Sequence, residues 1–399
     1  MIPQSKSLFM NLDRAPDDPI LGLPKLFNSD LRPEKVNLGI GSYMTEEGHS
    51  YLFKCVETVE KNLALHNTPK DYLPIDGDPI FLKTTIALNL QQSPDPEEVF
   101  AVQTIGGTGA LSLAAEFLFK YFSKTIAISD PSWANHAPLF RKAGFDVRLY
   151  PYYDVVQHKI RFNEIKDFLL NLPSSSIVLL QSACHNPTGA DFSKEEWQEV
   201  MELIKEKKLL PIFDNAYQGL GASIEEDVYP LQLFHKNKVD MLIATANSKN
   251  FGLYGERIGA LIFSLPNAPF KLDILSQVRR IIRSHYSSPP IQGAKIVGEI
   301  LNSPILKKEW EKELKGIHTR ILEMRTAFTK ELIFKSKNSG YAFLYQDKGF
   351  FSLLGLSEEQ VLTLREKQGI YMPLNGRINM AGLTSSTINY VTDSIAKVL

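Results

Sequence analysis

Short apolar segments alternate with amphipathic ones between about residues 99 and 264, and this alternation constrains the fold more than any other feature. The apolar segments carry β-branched and other apolar residues on both faces, which is typical of strands buried in a parallel sheet. They are VFAVQTI (99–105), TIAISD (125–130), SIVLLQSA (176–183), LLPIFD (209–214), MLIATA (241–246) and RIGALIFS (257–264). Strands separated by helices in this way favour an α/β fold, in which helices flank a mainly parallel sheet.

The amphipathic segments between the strands carry helix signals. ALSLAAEFLFKYF (110–122) repeats apolar residues every three or four positions. SKEEWQEVMELIKEKK (193–208) begins with Ser193, and Glu196 follows three residues later, which is the pattern of a capping box. We expect both segments to be helices on the faces of the sheet.

A different pattern occupies residues 305–335, where apolar residues recur every three or four positions within a highly charged stretch. These residues are Trp310, Leu314, Ile317, Ile321, Met324, Phe328 and Leu332. The pattern predicts one long helix, or two collinear ones, with a single buried stripe. Such a helix would link the large sheet domain to a smaller C-terminal one, in which residues 341–399 mix short strand and helix patterns.

The composition excludes several classes of protein. The 399 residues are 44% hydrophobic and 22% charged, as in a globular chain with a substantial core. A net charge of −1 leaves no broad positive field for nucleic acid or an anionic membrane, so we expect neither partner. The two cysteines make no disulfide framework and no metal motif occurs, so we expect no metal. Because no signal-peptide pattern and no apolar run of ~20 residues is present, we expect a cytoplasmic protein.

Lys249 is the first candidate functional residue. Lysines are usually solvated surface residues, and that is the alternative interpretation here. Lys249 nevertheless follows directly on the apolar strand MLIATA (241–246), at the strand end where α/β sheets place their active sites. Partial burial there would lower the pKa of the amine and make it a nucleophile. Arg257, eight residues further on, could balance a phosphate.

Two further strand ends carry polar or glycine-rich sequence. Gly106-Gly107-Thr108-Gly109 lies between a strand and a helix, where free N–H groups and the positive end of the helix dipole bind phosphate. The alternative is a plain glycine turn capped by Thr108. Asp214 ends the strand LLPIFD and could hold a protonated pyridine nitrogen, or it could cap the next helix.

The segments HNPTG and DPSWANH follow two other strands. Asn186 could donate a hydrogen bond to a phenolate oxygen, or it could belong to an ordinary Asn-Pro turn. Trp133 could stack on a flat cofactor, or it could be a core aromatic residue. Cys184 and His185 could suggest a thiol nucleophile, but adjacent residues on an extended chain point in opposite directions.

Two arginines are candidates for carboxylate recognition. The planar guanidinium of arginine suits bidentate binding of a carboxylate, which makes Arg283 in IIRSHYSSPP and Arg377 in NGRINMAG candidates. The alternative for each is a surface salt bridge. Six of the other candidates follow the carboxyl ends of strands in one expected sheet, the edge where such sheets bind ligands. They are Gly107, Thr108, Trp133, Asn186, Asp214 and Lys249.

These residues together resemble the class I aminotransferases of pyridoxal-phosphate fold type I, in particular the aspartate and aromatic amino acid subgroup. The likeness spans nearly the whole chain in ordered motifs, which are APDDPILGL, VNLGIGSY, DYLPIDG, GGTGAL, DPSWANH, CHNPTG, FDNAYQG, SKNFGLYGERIG, RSHYSSPP and GRINMAGL. It implies a large cofactor-binding domain at 46–316, a small domain from 16–45 and 317–399, and an N-terminal arm at 1–15.

The resemblance also implies the cofactor, pyridoxal 5′-phosphate, and its contacts. Lys249 would hold it as a Schiff base and, once freed by substrate, would move the substrate's α-proton. Asp214 would pair with the pyridinium nitrogen, with His136 behind it, while Tyr217 and Asn186 would donate to the ring oxygen. The complete set of implied cofactor contacts is Gly107, Thr108, Trp133, Asn186, Asp214, Tyr217, Ser248, Lys249 and Arg257, with Tyr72 reaching the phosphate of a neighbouring subunit.

The implied substrate contacts are Gly41, Trp133, Asn186, Arg283 and Arg377. Arg377 would clamp the α-carboxylate, and the backbone of Gly41 would support it. Arg283 would bind a side-chain carboxylate in the neighbouring subunit's site. The resemblance therefore implies a homodimer whose active sites are shared between subunits.

Three positions depart from the family pattern or leave it ambiguous. Ala246 replaces a serine that commonly contacts the phosphate, and one neutral hydrogen bond contributes only about 1 kcal/mol. Gln181 stands where a histidine is common. Ser288 stands where members accepting aromatic substrates tend to have serine, whereas Arg283 favours dicarboxylates.

The expected reaction is transamination between an acidic or aromatic L-amino acid and 2-oxoglutarate. Two alternatives remain from the sequence. Another reaction type on the same cofactor, such as a β-lyase or decarboxylase, is one, although an Arg377 that holds the carboxylate disfavours decarboxylation. A cofactor-binding regulatory protein is the other, although no spare DNA-binding segment is present.

Overall fold

The computed structural model describes residues 12–14, 18, 20–66, 69–268 and 270–399. Its α-helices are α1 Leu23–Ser29, α2 Lys54–Leu65, α3 Pro79–Leu90, α4 Gly106–Tyr121, α5 His136–Lys142, α6 Phe162–Leu170, α7 Lys194–Lys207, α8 Tyr229–Lys236, α9 Lys271–His285, α10 Gln292–Asn302, α11 Pro304–Ser336, α12 Glu358–Gln368 and α13 Ser385–Ala396. Short 3₁₀ helices occupy Glu226–Val228, Ser339–Tyr345 and Met380–Gly382.

The strands of the described residues are β1 Val36–Asn37, β2 Val99–Ile105, β3 Thr125–Asp130, β4 Asp146–Pro151, β5 Tyr153–Asp154, β6 Lys159–Ile160, β7 Ile177–Gln181, β8 Leu210–Asn215, β9 Met241–Ala246, β10 Ile258–Ser264, β11 Phe351–Leu353, β12 Ile370–Tyr371 and β13 Arg377–Asn379. Each apolar segment singled out in the sequence contains one strand of the main sheet, with boundaries within two residues of those expected.

The main sheet within this part of the chain has seven strands in the order β2-β10-β9-β8-β7-β3-β4. Only β10 runs antiparallel to its two neighbours, and the other pairings are parallel. The predicted α/β class with a mainly parallel sheet is confirmed. Because β2, β3, β7, β8 and β9 run in the same direction, their carboxyl ends meet at one edge of the sheet.

The two predicted helices on the sheet form as α4 and α7. Helix α4 begins at Gly106, directly after β2 and four residues before the predicted start. The capping box of α7 is complete, since Ser193 Oγ accepts from the N–H of Glu196 at 3.1 Å and Glu196 Oε2 accepts from the N–H of Ser193 at 2.8 Å.

The long C-terminal helix is one continuous element, α11, of 33 residues. All the stripe residues predicted from the sequence are buried. The first part of the stripe, from Trp310 to Ile321, belongs to a core cluster that includes residues of the main sheet. Its second part, from Met324 to Leu332, packs in a separate cluster.

This second cluster contains residues from both the N-terminal and the C-terminal part of the chain. It contains Val36 and Leu38 together with apolar side chains between Met324 and Ile395. That arrangement supports the small domain expected at 16–45 and 317–399, whose boundaries stay a prediction. The arm expected at 1–15 lies outside the described residues except for 12–14. None of the described helices combines the length and apolarity required of a membrane span.

Candidate active site

A cavity of about 270 Å³ lies at the carboxyl edge of the main sheet. Most of the residues predicted for the site line it, namely Gly41, Gly107, Thr108, Trp133, Asn186, Asp214, Tyr217, Ser248, Lys249, Arg257 and Arg377. They come from the ends of several strands, from the loop after β1 and from β13. The fold therefore gathers at one place residues that the sequence separates by hundreds of positions.

Lys249 lies three residues beyond the end of β9, with its amine inside the cavity. Its Nζ lies 4.9 Å from the centroid of the Tyr217 ring and makes no hydrogen bond within the described chain. Burial lowers the pKa of Lys249, Asp214 opposes that shift, and the positive charges of Arg257 and Arg377 reinforce it. The interpretation of Lys249 as a solvated surface lysine is therefore wrong, and the amine is suited to act as a nucleophile.

Asp214 lies near the end of β8 and accepts a hydrogen bond from His136. The distance from His136 Nε2 to Asp214 Oδ2 is 2.9 Å, and His136 is fully buried. No helix follows directly on β8, so the alternative in which Asp214 caps a helix is wrong. The carboxylate is instead held in the cavity wall, where it can face a cationic group.

His136 belongs to a longer chain of hydrogen bonds that the sequence did not reveal. Ser132 Oγ lies 2.8 Å from His136 Nδ1, and Ser129 donates to Ser132 at 3.0 Å. Ser129 in turn lies 3.0 Å from His185 Nε2, and Thr188 lies 2.8 Å from His185 Nδ1. If each N–H and O–H donates toward the carboxylate, His136 presents its Nε2–H to Asp214. The spacing of Ser132 and His136, four residues apart, was the one available sequence signal.

His185 is not a partner for a thiol nucleophile. Burial lowers the pKa of His185 well below its usual value, so the ring is neutral, and both ring nitrogens are already hydrogen-bonded. Burial also raises the pKa of the Cys184 thiol well above its usual value. A thiolate is therefore disfavoured at neutral pH. No group of residues suited to bind a metal ion occurs in the described ranges.

The first turn of α4 and Arg257 together form a positively charged corner of the cavity. A Cβ atom on Gly106 would lie 2.6 Å from Arg257 Nη2, and the φ of 65° at this position favours glycine independently. Arg257 itself has a φ of 53°, an uncommon conformation for a side-chain-bearing residue, and its Nη1 donates to the carbonyl of Tyr254 at 3.0 Å. The backbone N–H groups of Gly107 and Thr108 are in the first turn, where they have no partners inside the helix. This corner suits a phosphate or another anion.

The interpretation of Thr108 as the cap of a plain glycine turn is wrong. The N-cap position of α4 is Ile105, and no side chain caps the helix there. Ala246 also faces this corner, since a Cβ atom on Gly107 would lie 3.2 Å from the methyl group of Ala246. The chain thus presents a methyl group where a serine would add a hydroxyl donor.

Arg377, on β13, is buried at the opposite side of the cavity. Its Nη1 donates to Asn186 Oδ1 at 3.1 Å and its Nη2 to the carbonyl of Gly39 at 2.5 Å. The guanidinium carbon lies 4.0 Å from the centroid of the Phe351 ring, and Nε is buried without a partner in the described chain. Burial lowers the pKa of Arg377 to about 10, so the side chain stays charged at neutral pH. A surface salt bridge is therefore the wrong interpretation of this arginine.

Aromatic side chains form part of the cavity wall. Tyr217 packs edge-to-face against Phe350 and Phe351, and burial raises the pKa of its hydroxyl. Trp133 lies edge-on to His136, with 5.2 Å between ring centroids, and also lines the cavity. Packing thus holds the Trp133 ring next to the His136 partner of Asp214, and the Tyr217 ring next to the Lys249 amine.

Tyr72 and Arg283 are not in this cavity. Tyr72 is 93% exposed, and Arg283 is exposed on the last turn of α9, where it bonds to Ser287. The sequence also missed several residues that do line the cavity, which are Ile20, Leu21, Ile40, Leu111, Ala216, Tyr254 and Phe351. Most of these are apolar, and no local pattern distinguishes them from core residues.

Comparisons with known proteins agree on one family. A family model described as aminotransferase class I and II matches residues 33–395. The chain is 41% identical to aspartate aminotransferase from Pseudomonas aeruginosa, covering 98% of this chain and 100% of the relative. It is 39% identical to the aromatic-amino-acid aminotransferase of Escherichia coli, with 98% and 100% covered. The crystal structure of the aromatic-amino-acid aminotransferase from Burkholderia pseudomallei covalently bound to pyridoxal phosphate is similar with a TM-score of 0.95, at 40% identity over 99% of this chain and 100% of that one.

Proposed function

The chain belongs to the family of class I and II aminotransferases, and we propose that it transfers the amino group of aspartate or of an aromatic L-amino acid to 2-oxoglutarate, with pyridoxal 5′-phosphate as cofactor. The observation that carries this proposal is the cavity itself, which places the Lys249 amine among Asp214, Arg257 and Arg377. The products would be the corresponding keto acid and glutamate.

The cavity fits this cofactor by the chemistry of its walls. The positive corner at Arg257 and the first turn of α4 suits a phosphate, and a Cβ atom at Gly106 would crowd the Arg257 guanidinium there. The Asp214 carboxylate suits a protonated ring nitrogen, and the half-buried Lys249 amine suits an aldehyde. When bound, pyridoxal phosphate supplies an aldehyde that links to amines and a ring that accepts the electron pair released at the substrate's α-carbon. Gly107, Thr108, Trp133, Asn186, Tyr217 and Ser248 complete the set of residues that would hold it.

The protein's own groups would then act on the substrate as follows. Arg377 would bind the α-carboxylate, since it stays charged in a desolvated position and its Nε has no partner in the described chain. Gly41 also lines the cavity, and a Cβ atom there would lie 2.9 Å from Phe351, whose ring packs against Arg377. Lys249 carries the one side-chain amine among the described lining residues, and in its neutral form it can take the proton from the α-carbon.

The substrate side chain would meet a mixed environment. Ile20, Leu21 and Ile40 give the cavity an apolar wall, which favours aromatic side chains. Arg283 would provide for acidic side chains, but only from a second subunit, because it lies outside the cavity of its own chain. These two features support a dual preference for aspartate and aromatic amino acids.

Replacing Arg283 with alanine should separate the two substrate classes. We expect kcat/KM for aspartate to fall by about 10- to 100-fold, because one charged hydrogen-bonded contact contributes roughly 1.5–3 kcal/mol. The value for phenylalanine should change by less than about threefold, because its side chain has no carboxylate. Glutamate formation from each amino acid with 2-oxoglutarate measures both values, and failure of the wild-type protein to form glutamate would contradict the proposed function.

Arg280→Ala is the matched control for this experiment. Arg280 is exposed on the same helix, α9, and makes no hydrogen bond within the described chain. We expect it to leave both substrates unaffected. An equal loss for aspartate and phenylalanine in Arg283→Ala would contradict the proposed contact with the side-chain carboxylate.

The proposed active unit is a homodimer with shared sites, supported by the exposure of Tyr72 and Arg283 away from their own cavity. Mixing inactive Lys249→Ala chains with Arg283→Ala chains tests it. In a heterodimer, one site would combine an intact Lys249 with an intact Arg283 from the partner. Random exchange of equal amounts would restore up to about a quarter of the wild-type aspartate activity.

Phenylalanine turnover is the internal control. In the mixture it should not exceed the turnover that the same amount of Arg283→Ala chains gives alone. Exchange itself is verified by co-purification of differently tagged chains. Exchanged dimers without any gain in aspartate turnover would place Arg283 in its own subunit's site or in none.

The relatives give no support to a β-lyase, a decarboxylase or a regulatory protein, since those compared are named as aminotransferases. The domain boundaries, between residues 45 and 46 and between residues 316 and 317, remain proposals from the sequence. A cytoplasmic location is likewise a proposal.

A further inference from the structure

Gln181 lines the cavity at the end of β7, next to Asp214 on β8. The two residues are paired in register on adjacent parallel strands, so their side chains point to the same face of the sheet. The side-chain amide of Gln181 does not bond to Asp214. Its Oε1 accepts from the backbone N–H of Asn186 at 2.9 Å, and its Nε2 donates to the backbone carbonyl of Asn186 at 3.1 Å.

These two hydrogen bonds fix both backbone polar groups of Asn186. The preceding residues of the loop are held separately, because Asp191 accepts from the N–H groups of Cys184 and His185 at 2.8 and 2.9 Å. Gln181 is therefore the side chain that ties Asn186 itself to the end of the sheet. The two bonds also determine which end of the Gln181 amide is the oxygen and which is the nitrogen. In the other orientation, two donors or two acceptors would face each other.

The orientation of the Asn186 side chain follows from its other contact. Asn186 Oδ1 accepts from Arg377 Nη1 at 3.1 Å, and arginine offers donors only. The Nδ2 group is thus the free donor of Asn186, and it makes no hydrogen bond within the described chain. Asn186 lines the cavity, so this donor is available to a bound molecule.

We propose that Gln181 is a positioning residue, which acts on the bound cofactor and substrate by holding the backbone of Asn186 so that the Asn186 amide donates into the cavity while it orients Arg377. This inference rests on the proposed function, because it assumes that the cofactor's ring oxygen receives the Asn186 donor. Gln181 would then influence the ring oxygen of the cofactor without touching it. If Gln181 only stabilised the loop, its replacement would not change the titration of the bound cofactor.

The test is the pH midpoint of the visible absorption of the loaded enzyme, measured without substrate. A donor to the ring oxygen stabilises its anionic form and favours loss of the proton from the linked lysine nitrogen. Gln181→Met removes both hydrogen bonds, and we expect the midpoint to rise by about half a unit to one unit, as for weakening one hydrogen bond. KM for the amino acid should also rise, because Arg377 loses its fixed partner.

A double-mutant cycle decides whether Gln181 acts through Asn186. Asn186→Ala alone should raise the midpoint, and adding Gln181→Met to it should raise it no further. An unchanged midpoint in Gln181→Met, or an equal rise in the Asn186→Ala background, would overturn the inference. Gln181→Asn is a second, polar variant whose shorter side chain cannot reach both backbone groups, and it should shift the midpoint in the same direction even if Gln181→Met folds poorly.

Gln198→Met is the matched control for this series. Gln198 is exposed on α7 and bonds Tyr229 at 3.3 Å, so the same chemical change there should leave the midpoint unaltered. A wild-type protein without visible absorption after incubation with pyridoxal phosphate would refute the proposed function and this inference with it. Normal absorption in the wild type with an unshifted Gln181→Met would refute the inference alone.

Discussion

Lys249→Ala should lower steady-state turnover by more than about 10³-fold, because one substitution removes both the proposed covalent anchor and the group that would move the α-proton. General acid–base catalysis alone contributes roughly 10²- to 10⁴-fold. The amine is prepared for this role, since burial and the charges of Arg257 and Arg377 lower its pKa while Asp214 opposes the shift. The net result is a larger neutral fraction near pH 7 than an exposed lysine would have.

Lys249→Arg distinguishes the loss of the positive charge from the loss of an amine that can give up its proton. Arginine keeps the positive charge but does not lose its proton near neutral pH, so it should be as impaired as alanine. Lys236→Ala, at an exposed position on α8, should retain full turnover. After borohydride reduction, the cofactor should be found on the peptide that contains residue 249. Turnover of Lys249→Ala within about tenfold of wild type would exclude its proposed role as proton carrier.

The sequence predicts the central part of the fold because that part follows from local chemistry. The segment MLIATA is apolar on both faces and forms the fully buried strand β9, and the residues directly after it reach the edge of the sheet. Ser193 and Glu196 specify the start of α7 through bonds within one turn. The carboxyl ends of parallel strands lie at the same edge of a sheet. The proximity of Lys249 to Asp214 could therefore be predicted from the direction of their strands alone.

The rest of the site depends on contacts between distant parts of the chain. Arg377 and Arg283 look equivalent in the sequence, yet Arg377 is 3% exposed and Arg283 is exposed on a helix end. The partner that distinguishes Arg377, Asn186, is 191 positions away. Likewise, nothing near Gln181 indicates that its amide pairs with a backbone five residues on, because that depends on how the loop turns.

Asp214→Asn should lower kcat by about 10²- to 10³-fold, the range seen when one fixed electrostatic group in an active site is lost. The substitution keeps the size and shape of the side chain. It removes the negative charge that would hold a protonated ring nitrogen and thereby stabilise the electron pair released from the substrate. The hydrogen bond from His136 Nε2, at 2.9 Å, holds the carboxylate in place, so the native charge acts from a fixed position.

Asp214→Glu provides the comparison that isolates charge from geometry. It keeps the carboxylate but displaces it by one methylene group, so we expect it to retain more activity than Asp214→Asn. Single-turnover reaction with aspartate measures the chemical step, and visible absorption before mixing verifies that Lys249 still holds the cofactor. Asp273→Asn, at an exposed position in the first turn of α9, should have no effect. If Asp214→Asn reacted as fast as Asp214→Glu, the charge at this position would not contribute to the chemical step, and the cavity would need another source of stabilisation opposite Lys249.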